Sequence, residues 1–591
     1  MSDTTGKAFD YRLFKRLLRH TKPYKATFYG VAVIAILLSG FAVARPYLLK
    51  ETVDNYILNK DHEGLLIFIG LMGLLLLLEV ISQLSFIYYA NWLGQSIVRD
   101  VRIKLFKHMT RFRMKYFDNS SVGLLVTRAV NDMERIADIF SEGFFMILSD
   151  LLKMLVVAAV MLMVSWKLSL IVFFILPIIL YATRLFQKAM KAAFSDVRTQ
   201  VASLNTFVQE RISGMKIVQL FNREAIEYEK FKAINEKHKK AWIKTVWYNS
   251  IFFPIAELAS SITIGLIVWY GGLQAVLESN GMELGTIFMF IQMSQMLFRP
   301  LRQIADKFNT LQMGMVAATR VFNILDTESK IEDKGTHTTA IIKGHIQFDN
   351  VHFGYVEGEE VLHGISFEAK PGETIAIVGA TGAGKSTIIN LLSRFYDIQS
   401  GEIKVDGVKI NQYVLPFLRN QVAVVLQDVF LFADTILNNI TLKNPDVSEE
   451  TVIEAAKAIG IHDFFMSLPD TYHYNVKERG AMLSSGQRQL IAFLRAYVSD
   501  PSILVLDEAT SSVDSYTEQL IQKATDKITA GRTSIIIAHR LATVKKASKI
   551  LVMDAGNIVE QGVHDELIKI EGGYYKNLYE VQFMAEEEQI G

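Results

Sequence analysis

The sequence contains no cysteine, which excludes disulfide bonds, thiolate metal ligands and cysteine nucleophiles. It also lacks an excess of charge, because 62 basic and 61 acidic residues leave a net charge of +1. Bulk charge therefore gives no case for a nucleic-acid partner, and we predict none. Proline is scarce as well, with ten residues in the chain, and the long connections between apolar stretches are free of it. We expect those connections to be helical.

Hydrophobic side chains are abundant, at 50% of the 591 residues, and the mean hydropathy is +0.24. These values are high for a soluble protein, yet 21% of the residues are charged and must meet water. A chain of this length also exceeds what one hydrophobic core usually organises. We therefore predict a membrane domain combined with at least one soluble domain.

Six apolar stretches lie in the first half of the chain, and a membrane-spanning helix needs roughly 20 apolar residues. An amphipathic segment precedes them at about residues 9–20, and its basic face predicts an elbow helix lying on the membrane surface. The predicted spans are residues 28–49, 65–93, 144–164, 168–186, 251–276 and 284–298.

The charges between the spans predict their orientation. The connections 95–143 and 184–247 carry nine and thirteen Lys or Arg residues, whereas 51–64 carries one and 272–283 carries none. Because basic loops stay in the cytoplasm, we expect a multi-pass protein of the cytoplasmic membrane with both termini inside the cell. Interruptions at 117–123 and 213–215 mark the expected tips of the two basic connections.

Polar side chains inside the predicted spans are costly unless they face protein or water. Asp150 and Lys153 are three residues apart, so we expect them to pair on one helix face. Four other polar residues are candidates to line a transport pathway: Glu79, Glu257, Gln292 and Gln295. The Met-rich stripe around the two glutamines is also typical of helix packing, so that alternative stays open.

A phosphate-binding loop is predicted where residues 374–378 form a buried strand and an apolar helix opens at Lys385. Backbone N–H groups of a glycine-rich loop form an anion site, Lys385 adds a cation for the β- and γ-phosphates, and the hydroxyl of Ser386 suits Mg²⁺. The pattern G-x-x-x-x-G-K-S in this setting predicts nucleotide contacts from Gly379, Ala380, Thr381, Gly382, Ala383, Gly384, Lys385, Ser386 and Thr387.

The soluble half follows a polar linker, residues 326–344, and strand-like runs then alternate with helical ones. This pattern is typical of an α/β domain with a largely parallel sheet, in which ligands lie beyond the carboxyl ends of the strands. Polar residues follow three such runs: Gln427, Asp507 with Glu508, and His539. We predict that Asp507 binds Mg²⁺, that Glu508 polarises the attacking water as general base, and that His539 contacts the γ-phosphate.

A second small segment, LSSGQ at 483–487, opens the helix at 488–497 and has the form of another anion site. One loop already holds the phosphates, so we expect this second site to cap a nucleotide held by another copy. The sequence thus predicts a dimer.

The chain resembles an ATP-binding cassette (ABC) exporter in which one polypeptide carries both a transmembrane and a nucleotide-binding domain, a half-transporter of the multidrug or lipid type. The resemblance covers nearly the whole chain and rests on GATGAGKST, LSSGQRQ, SILVLDEATSSVD and IIIAHR, which occur in the family's order and spacing. It implies an α-helical six-helix transmembrane domain at 1–325, a linker at 326–344 and an α/β P-loop ATPase domain at 345–591.

The resemblance also implies residue roles, with ATP and Mg²⁺ as cofactors. Tyr355 would stack on adenine, Gln427 would contact Mg²⁺ and the membrane domain, and Glu478 would touch the coupling helices. Three signature residues would close on the partner's ATP: Ser484, Gly486 and Gln487. Asp514 resembles the D-loop acid, and His539 resembles the switch histidine.

Two motifs depart from the family pattern. Ser485 stands where a second glycine is usual, and Lys477 makes VKERG where VGERG is usual. Both variants also occur in subunits of heterodimeric relatives, so the partner is either a second copy of the chain or a related half-transporter. We expect ATP-driven export of a small amphipathic or hydrophobic compound, such as a drug, lipid or peptide, through a lipid membrane. An ATP-gated channel or regulator on the same scaffold is a further alternative.

Overall fold

The computed structural model describes residues 10–276, 283–339, 341–507, 514–538 and 540–582. The chain separates into two compact units. The first comprises the chain up to Thr110 together with Ser121–Glu328, and the second comprises Arg111–Ser120 together with the chain from Ser329 onwards. A short piece of the first basic connection therefore packs with the second unit.

Helices account for nearly all of the described residues before residue 327. In chain order they are α1 Tyr11–Arg19, α2 Lys25–Glu51, α3 His62–Met109, α4 Met114–Asp118, α5 Val122–Ala129, α6 Asn131–Asp138, α7 Phe145–Val164, α8 Trp166–Ser213, α9 Met215–Leu220, α10 Glu224–Val276 and α11 Leu284–Asp326. Wider π-helical turns continue α2 at Thr52–Ile57 and lead into α7 at Ile139–Phe144. The predicted interruptions are confirmed, because α4 ends just before residues 119–121 and Gly214 separates α8 from α9.

Five helical stretches of the described residues are long and apolar enough to cross a membrane: Lys22–Ile57, His62–Met109, Val122–Val164, Trp166–Ser213 and Glu224–Val276. They contain five of the six predicted spans. The sixth predicted span lies in α11, a 43-residue helix that is not among these stretches. Gln292, Gln295 and Arg299 dilute its apolar sequence, so the predicted count of six is confirmed only in part.

The helical unit has a small apolar core and an apolar exterior. Val172, Ile267 and Phe290 are fully buried where α8, α10 and α11 pack together. Along α3, by contrast, large apolar side chains such as Leu66 and Leu77 are exposed. An exterior of this kind is stable in hydrocarbon rather than in water.

Two of the charged side chains in the spans form ion pairs with other helices. Asp150 on α7 forms an ion pair of 2.5 Å with Lys307 on α11. The expected pairing of Asp150 with Lys153 is therefore not what the structure forms, because a partner on a facing helix replaces the local one. Glu79 on α3 lies 3.5 Å from Arg45 on α2.

The elbow helix α1 docks through its apolar face, with Phe14 and Leu17 buried. Asp10 caps its N-terminus by accepting hydrogen bonds from the backbone of Arg12 and Leu13. The helix is thus shorter at both ends than the predicted 9–20.

Two sheets organise the second unit. The strands are β1 Ile346–Phe353, β2 Leu362–Ala369, β3 Thr374–Gly379, β4 Ser400–Val405, β5 Val408–Lys409, β6 Val422–Val425, β7 Ile503–Asp507, β8 Thr533–Ile537, β9 Lys549–Asp554 and β10 Asn557–Gly562. One sheet is antiparallel and has the order β2-β1-β4-β5, and the other has six strands in the order β10-β9-β3-β8-β7-β6, parallel except for β10.

Helices cover the six-stranded sheet, and apolar cores fill the space on both of its faces. The helices are α12 Lys385–Leu392, α13 Leu415–Gln421, α14 Ile436–Thr441, α15 Glu449–Ile459, α16 His462–Met466, α17 Ser485–Val498, α18 Ser515–Thr529, α19 Leu541–Lys546, α20 His564–Leu567 and α21 Tyr574–Gln582. Because β3 is an interior strand between β8 and β9, the loop that follows it lies at the carboxyl end of the sheet, away from both edge strands.

Candidate nucleotide-binding site

The loop between β3 and α12 has a shape that only glycine permits at two positions. Gly379 has φ +151°, and a Cβ there would lie 2.2 Å from the carbonyl oxygen of Met553. Gly384 has φ +97° directly before α12 begins. These two residues turn the chain tightly from a buried strand into a helix N-terminus, which is a backbone arrangement suited to binding an anion.

Lys385 is buried at the centre of this loop. Its ammonium group donates hydrogen bonds to the carbonyl oxygens of Gly379, at 2.7 Å, and Ala380, at 2.9 Å. Burial lowers the pKa of Lys385, while the nearby carboxylate of Asp507 acts in the opposite direction. The loop therefore holds a desolvated cation where the phosphates of a nucleotide would lie.

The remaining loop residues divide into an exposed rim and a buried base. Ala380, Thr381 and Gly382 are exposed, and so is Ser386 in the first turn of α12. Ala383 and Thr387 are buried. The hydroxyl of Ser386 thus stays accessible beside Lys385, as a metal-binding hydroxyl would need to be.

Tyr355 lies beside the first turns of α12. Its hydroxyl donates to Thr387 Oγ1 at 3.3 Å and accepts a hydrogen bond from Asn390 Nδ2 at 3.0 Å. Its ring meets the ring of Tyr396 edge-on, with centroids 5.0 Å apart. Sequence reasoning did not single out Asn390 or Tyr396, although Asn390 follows Ser386 by one helical turn on the same face of α12.

Asp507 is the last residue of β7, as predicted, and it lies close enough to Lys385 to affect the pKa of that side chain. Gln427 is exposed and lies two residues beyond the end of β6, so it does not close the strand as expected. The predicted general base Glu508 and the predicted switch residue His539 both lie outside the described residues.

The signature segment forms the start of α17. Ser484 is its N-cap: the Ser484 hydroxyl accepts from the backbone of Gln487 at 3.2 Å, and the Gln487 side chain accepts from the backbone of Ser484 at 3.0 Å. Gly486 is buried. Ser485 is in the first turn of the helix and does not have a positive φ. The backbone therefore has no need of glycine at 485 in this conformation.

Asp514 caps the next helix. Its carboxylate accepts a hydrogen bond of 2.9 Å from the backbone of Thr517, and this bond is the main reason why the pKa of Asp514 is lowered. Asp514 is thus held as an anion at the N-terminus of α18.

The VKERG departure has a structural counterpart. Lys477 has φ +60° and ψ −169°, a backbone region that favours glycine. Glu478, the predicted contact for coupling helices, starts a short 3₁₀ turn directly after it.

Within the second unit, the segment Arg111–Ser120 contacts residues that follow Glu328 in the chain. The backbone N–H of Arg113 donates to the carbonyl of Ser329 at 2.7 Å, and the hydroxyl of Tyr396 donates to the carboxylate of Asp118. Burial and this carboxylate raise the pKa of Tyr396. Tyr396 therefore contacts both the first basic connection and the aromatic ring of Tyr355.

In the first unit, part of the predicted pathway set converges. Gln292 and Gln295 line a cavity of about 460 Å³, whereas Glu79 and Glu257 are not among its lining residues. Arg45 and Arg299 also line it. Sequence reasoning missed Arg45, although an arginine inside the apolar stretch 28–49 was the signal for it.

Comparisons with known proteins agree with this two-part organisation. A family model described as the ABC transporter transmembrane region matches residues 29–301, and one described as ABC transporter matches residues 362–511. An ATP-dependent lipid A-core flippase of Syntrophus aciditrophicus is 35% identical, over 98% of this chain and 96% of its own. The putative multidrug export ATP-binding/permease protein YgaD of Bacillus subtilis is 34% identical, over 96% of this chain and 99% of its own.

A further relative, the uncharacterized ABC transporter ATP-binding protein YknV of Bacillus subtilis, is 35% identical over 98% of this chain and 96% of its own. Among solved structures, a bacterial Atm1-family ABC exporter with ATP bound has a TM-score of 0.73 and 26% identity. That match covers 95% of this chain and 98% of the other.

Proposed function

The chain belongs to the ABC transporter family as an ATPase coupled to export across a membrane, and on that premise we propose that two copies of it form the working transporter. In each of two sites, Lys385 and Ser386 of one copy bind the phosphates of ATP. Ser484 and Gly486 of the second copy then close on the γ-phosphate. The observation that carries this proposal is the glycine-shaped loop with Lys385 buried inside it.

The residues around this loop fit a magnesium ion. Mg²⁺ prefers oxygen ligands. Ser386 at the start of α12, Asp507 at the end of β7 and Gln427 shortly after β6 each offer a side-chain oxygen atom. We assign those three residues to the metal. Bound Mg²⁺ would neutralise negative charge on the phosphates. Glu508 acts as general base, and His539 contacts the γ-phosphate.

Other parts of the site bind the rest of the nucleotide. Tyr355 contacts adenine, and Gln487 and Asp514 support the closed interface between the copies. The protein lies in the cytoplasmic membrane with both termini inside the cell. Its domains are a transmembrane domain at 1–325, a linker at 326–344 and a nucleotide-binding domain at 345–591.

The transported substrate is an amphipathic or hydrophobic compound. Relatives named for lipid A-core and multidrug export support this class. The cavity lined by Gln292 and Gln295 offers a polar site within the helical unit, and we place Glu79 and Glu257 along the same pathway.

A heterodimer with a related half-transporter is the second candidate. It is favoured by Ser485 and by Lys477, which depart from the family motifs at two positions. The argument from Ser485 is weakened by its helical backbone, because a serine fits there without strain.

Reconstitution of the purified chain alone in proteoliposomes tests the proposal. We expect Mg-ATP hydrolysis of roughly 1–10 s⁻¹, stimulated by one compound class among drugs, lipids and peptides, with accumulation of that compound in inside-out vesicles. Vesicles with Glu508→Gln are the control. Nucleotide-gated ion conductance without accumulation would favour the channel alternative. Inactivity that Ser485→Gly does not rescue, but a co-expressed half-transporter does, would replace the homodimer with the heterodimer.

A further inference from the structure

The cavity of about 460 Å³ in the first unit has two kinds of wall. Leu49, Met72 and Met296 supply apolar surface. The polar lining consists of the two glutamines at 292 and 295 and the two arginines at 45 and 299. A cavity with one apolar and one polar side suits an amphipathic molecule.

The cavity carries an excess of positive charge. The guanidinium group of Arg45 lies 3.5 Å from the Glu79 carboxylate, which is an ion pair but longer than a hydrogen bond. No carboxylate among the described residues lies within ion-pair distance of Arg299. Two guanidinium groups therefore face one carboxylate.

Both arginines lie well inside the helices that carry them rather than at the helix ends, and on the cavity wall Arg45 is partly exposed and Arg299 is exposed. Arg45 precedes the end of the π-helical turn at Ile57 by roughly 18 Å, and Arg299 follows the start of α11 by roughly 22 Å, at a rise of 1.5 Å per residue. The hydrocarbon core of a bilayer is about 30 Å thick. An arginine at such depth is costly unless a partner compensates its charge.

The chemistry of the lining defines that partner. A guanidinium group binds the two oxygens of a carboxylate or phosphate in parallel, whereas it repels a cation. Gln292 and Gln295 are three residues apart on one face of α11 and offer amide donors to further oxygens. We propose that this cavity binds an amphipathic anion, with a carboxylate, sulfate or phosphate head group between Arg45 and Arg299 and an apolar body against Leu49. The proposal rests on the export function and names its substrate class.

Ligand binding to the protein, measured without ATP in nanodiscs of zwitterionic phosphatidylcholine, tests the proposal. A dansyl-labelled fatty acid is the probe, and dodecyl phosphate, dodecanoate, dodecyltrimethylammonium and dodecyl maltoside are the competitors, with empty nanodiscs as the blank. We expect the two anions to compete at least about tenfold better than the cation of equal chain length. Equal competition by anion and cation in the unmodified protein would overturn the proposal, and this comparison needs no variant.

Variants sharpen the result. Arg299→Gln is expected to weaken dodecyl phosphate binding about ten- to hundredfold, and Arg299→Lys to weaken it less because the charge stays. Glu79→Gln is expected to strengthen it, because Arg45 then has no competing carboxylate. Arg184→Gln, on an exposed part of α8 outside the cavity, is the matched control. Unchanged anion affinity in Arg299→Gln, or weaker anion binding in Glu79→Gln, would contradict the assignment.

Two further arms separate the possible outcomes. If phosphatidic acid added to the nanodisc displaces the probe, the bound head group belongs to a membrane lipid. If only free dodecyl phosphate displaces it, the ligand is a soluble amphiphile. Either result supports an anion site. ATP hydrolysis is recorded in the same preparations. Hydrolysis without anion preference would refute only the substrate class, whereas anion binding in a protein that never hydrolyses ATP would refute the export function.

Discussion

The ammonium group of Lys385 donates a 2.7 Å hydrogen bond to the carbonyl oxygen of Gly379, six residues earlier in the same loop. Carbonyl oxygens of the loop thus bind the ammonium group of Lys385, and burial desolvates the same group. Phosphate oxygens of an incoming nucleotide would replace the carbonyls as acceptors. A charged donor gains more from a phosphate than from a neutral carbonyl, so binding is favourable although it breaks existing bonds.

Lys385→Ala is expected to weaken ATP binding about ten- to hundredfold, the scale of one charged hydrogen bond. Titration of the full-length chain with a fluorescent ATP analogue measures this affinity. Lys527→Ala, which removes an exposed lysine on α18, is the matched control and should leave the affinity unchanged. Equal affinities for the Lys385 variant and the unmodified protein would remove Lys385 from the phosphate site.

Glu508→Gln tests the general base. Glu508 directly follows Asp507, which ends β7, so its amide analogue should still bind ATP while turnover falls by about 10²–10⁴-fold. Phosphate release and nucleotide affinity are measured on the same sample. Glu454→Gln on the exposed face of α15 controls for the loss of a charge. Near-normal turnover in the Glu508 variant would exclude that role.

Much of the fold follows from local sequence patterns. The strand–loop–helix around Lys385 was predictable because buried strands, tight turns and amphipathic helices each have a local signature. The same holds for the apolar stretches, since length and composition alone distinguish a membrane-spanning helix. Only α11 was marginal, because its polar stripe dilutes the apolar signal.

Contacts between distant residues were not predictable in this way. Asp150 pairs with Lys307 instead of with Lys153, because the facing helix offers a partner that a search along one helix does not include. Tyr396 donates a hydrogen bond to Asp118, more than two hundred residues earlier in the sequence, and its ring also contacts the ring of Tyr355. Such contacts depend on how helices and sheets pack, and a single sequence carries no local signal for them.

The backbone at Lys477 provides a stability prediction. Its φ of +60° with ψ −169° is strained for a side chain with a Cβ. Lys477→Gly should therefore stabilise the protein by about 1 kcal/mol, the lower end of the cost of such a conformation. Thermal unfolding of the detergent-solubilised chain measures the change. Lys477→Ala is the control, because it removes the charge and keeps the Cβ; equal melting temperatures for the two variants would show that no strain is present.

The docking of the elbow helix can be measured with a double-mutant cycle. Arg16 on α1 forms two hydrogen bonds, 2.6 and 2.7 Å, with Asp326 at the end of α11, and its guanidinium group lies 4.2 Å from the ring centroid of Phe322. Both partners are partly exposed, so we expect a coupling energy of about 0.5–1 kcal/mol. Arg16→Ala should cost more than Asp326→Ala, since only the former also loses the ring contact.

Unfolding in detergent at low and high salt measures this coupling, which should shrink as salt screens the pair. Arg12→Ala changes an exposed arginine of the same helix and serves as control. A coupling of zero at low salt would mean that the pair contributes nothing to the docking of α1.

The proposed homodimer leads to a prediction that no single variant can test. Each proposed site uses Lys385 and Glu508 of one copy and Ser484 of the other. Ser484→Asp keeps a residue that caps the N-terminus of α17, but it places a carboxylate where the γ-phosphate would lie. Homodimers of Ser484→Asp and homodimers of Lys385→Ala should both be inactive, because each variant damages both sites.

Mixed dimers of these two variants should regain activity. Both defects then fall in one site, and the other site combines an intact loop with an intact signature segment. Mixed dimers of Lys385→Ala with Glu508→Gln carry as many substitutions but damage both sites, so they should stay inactive. Differently tagged copies, co-expressed and purified through both tags, allow ATP hydrolysis to be measured in each mixture. Equal inactivity of the two mixtures would contradict shared sites between copies, because only a site built from two chains distinguishes them.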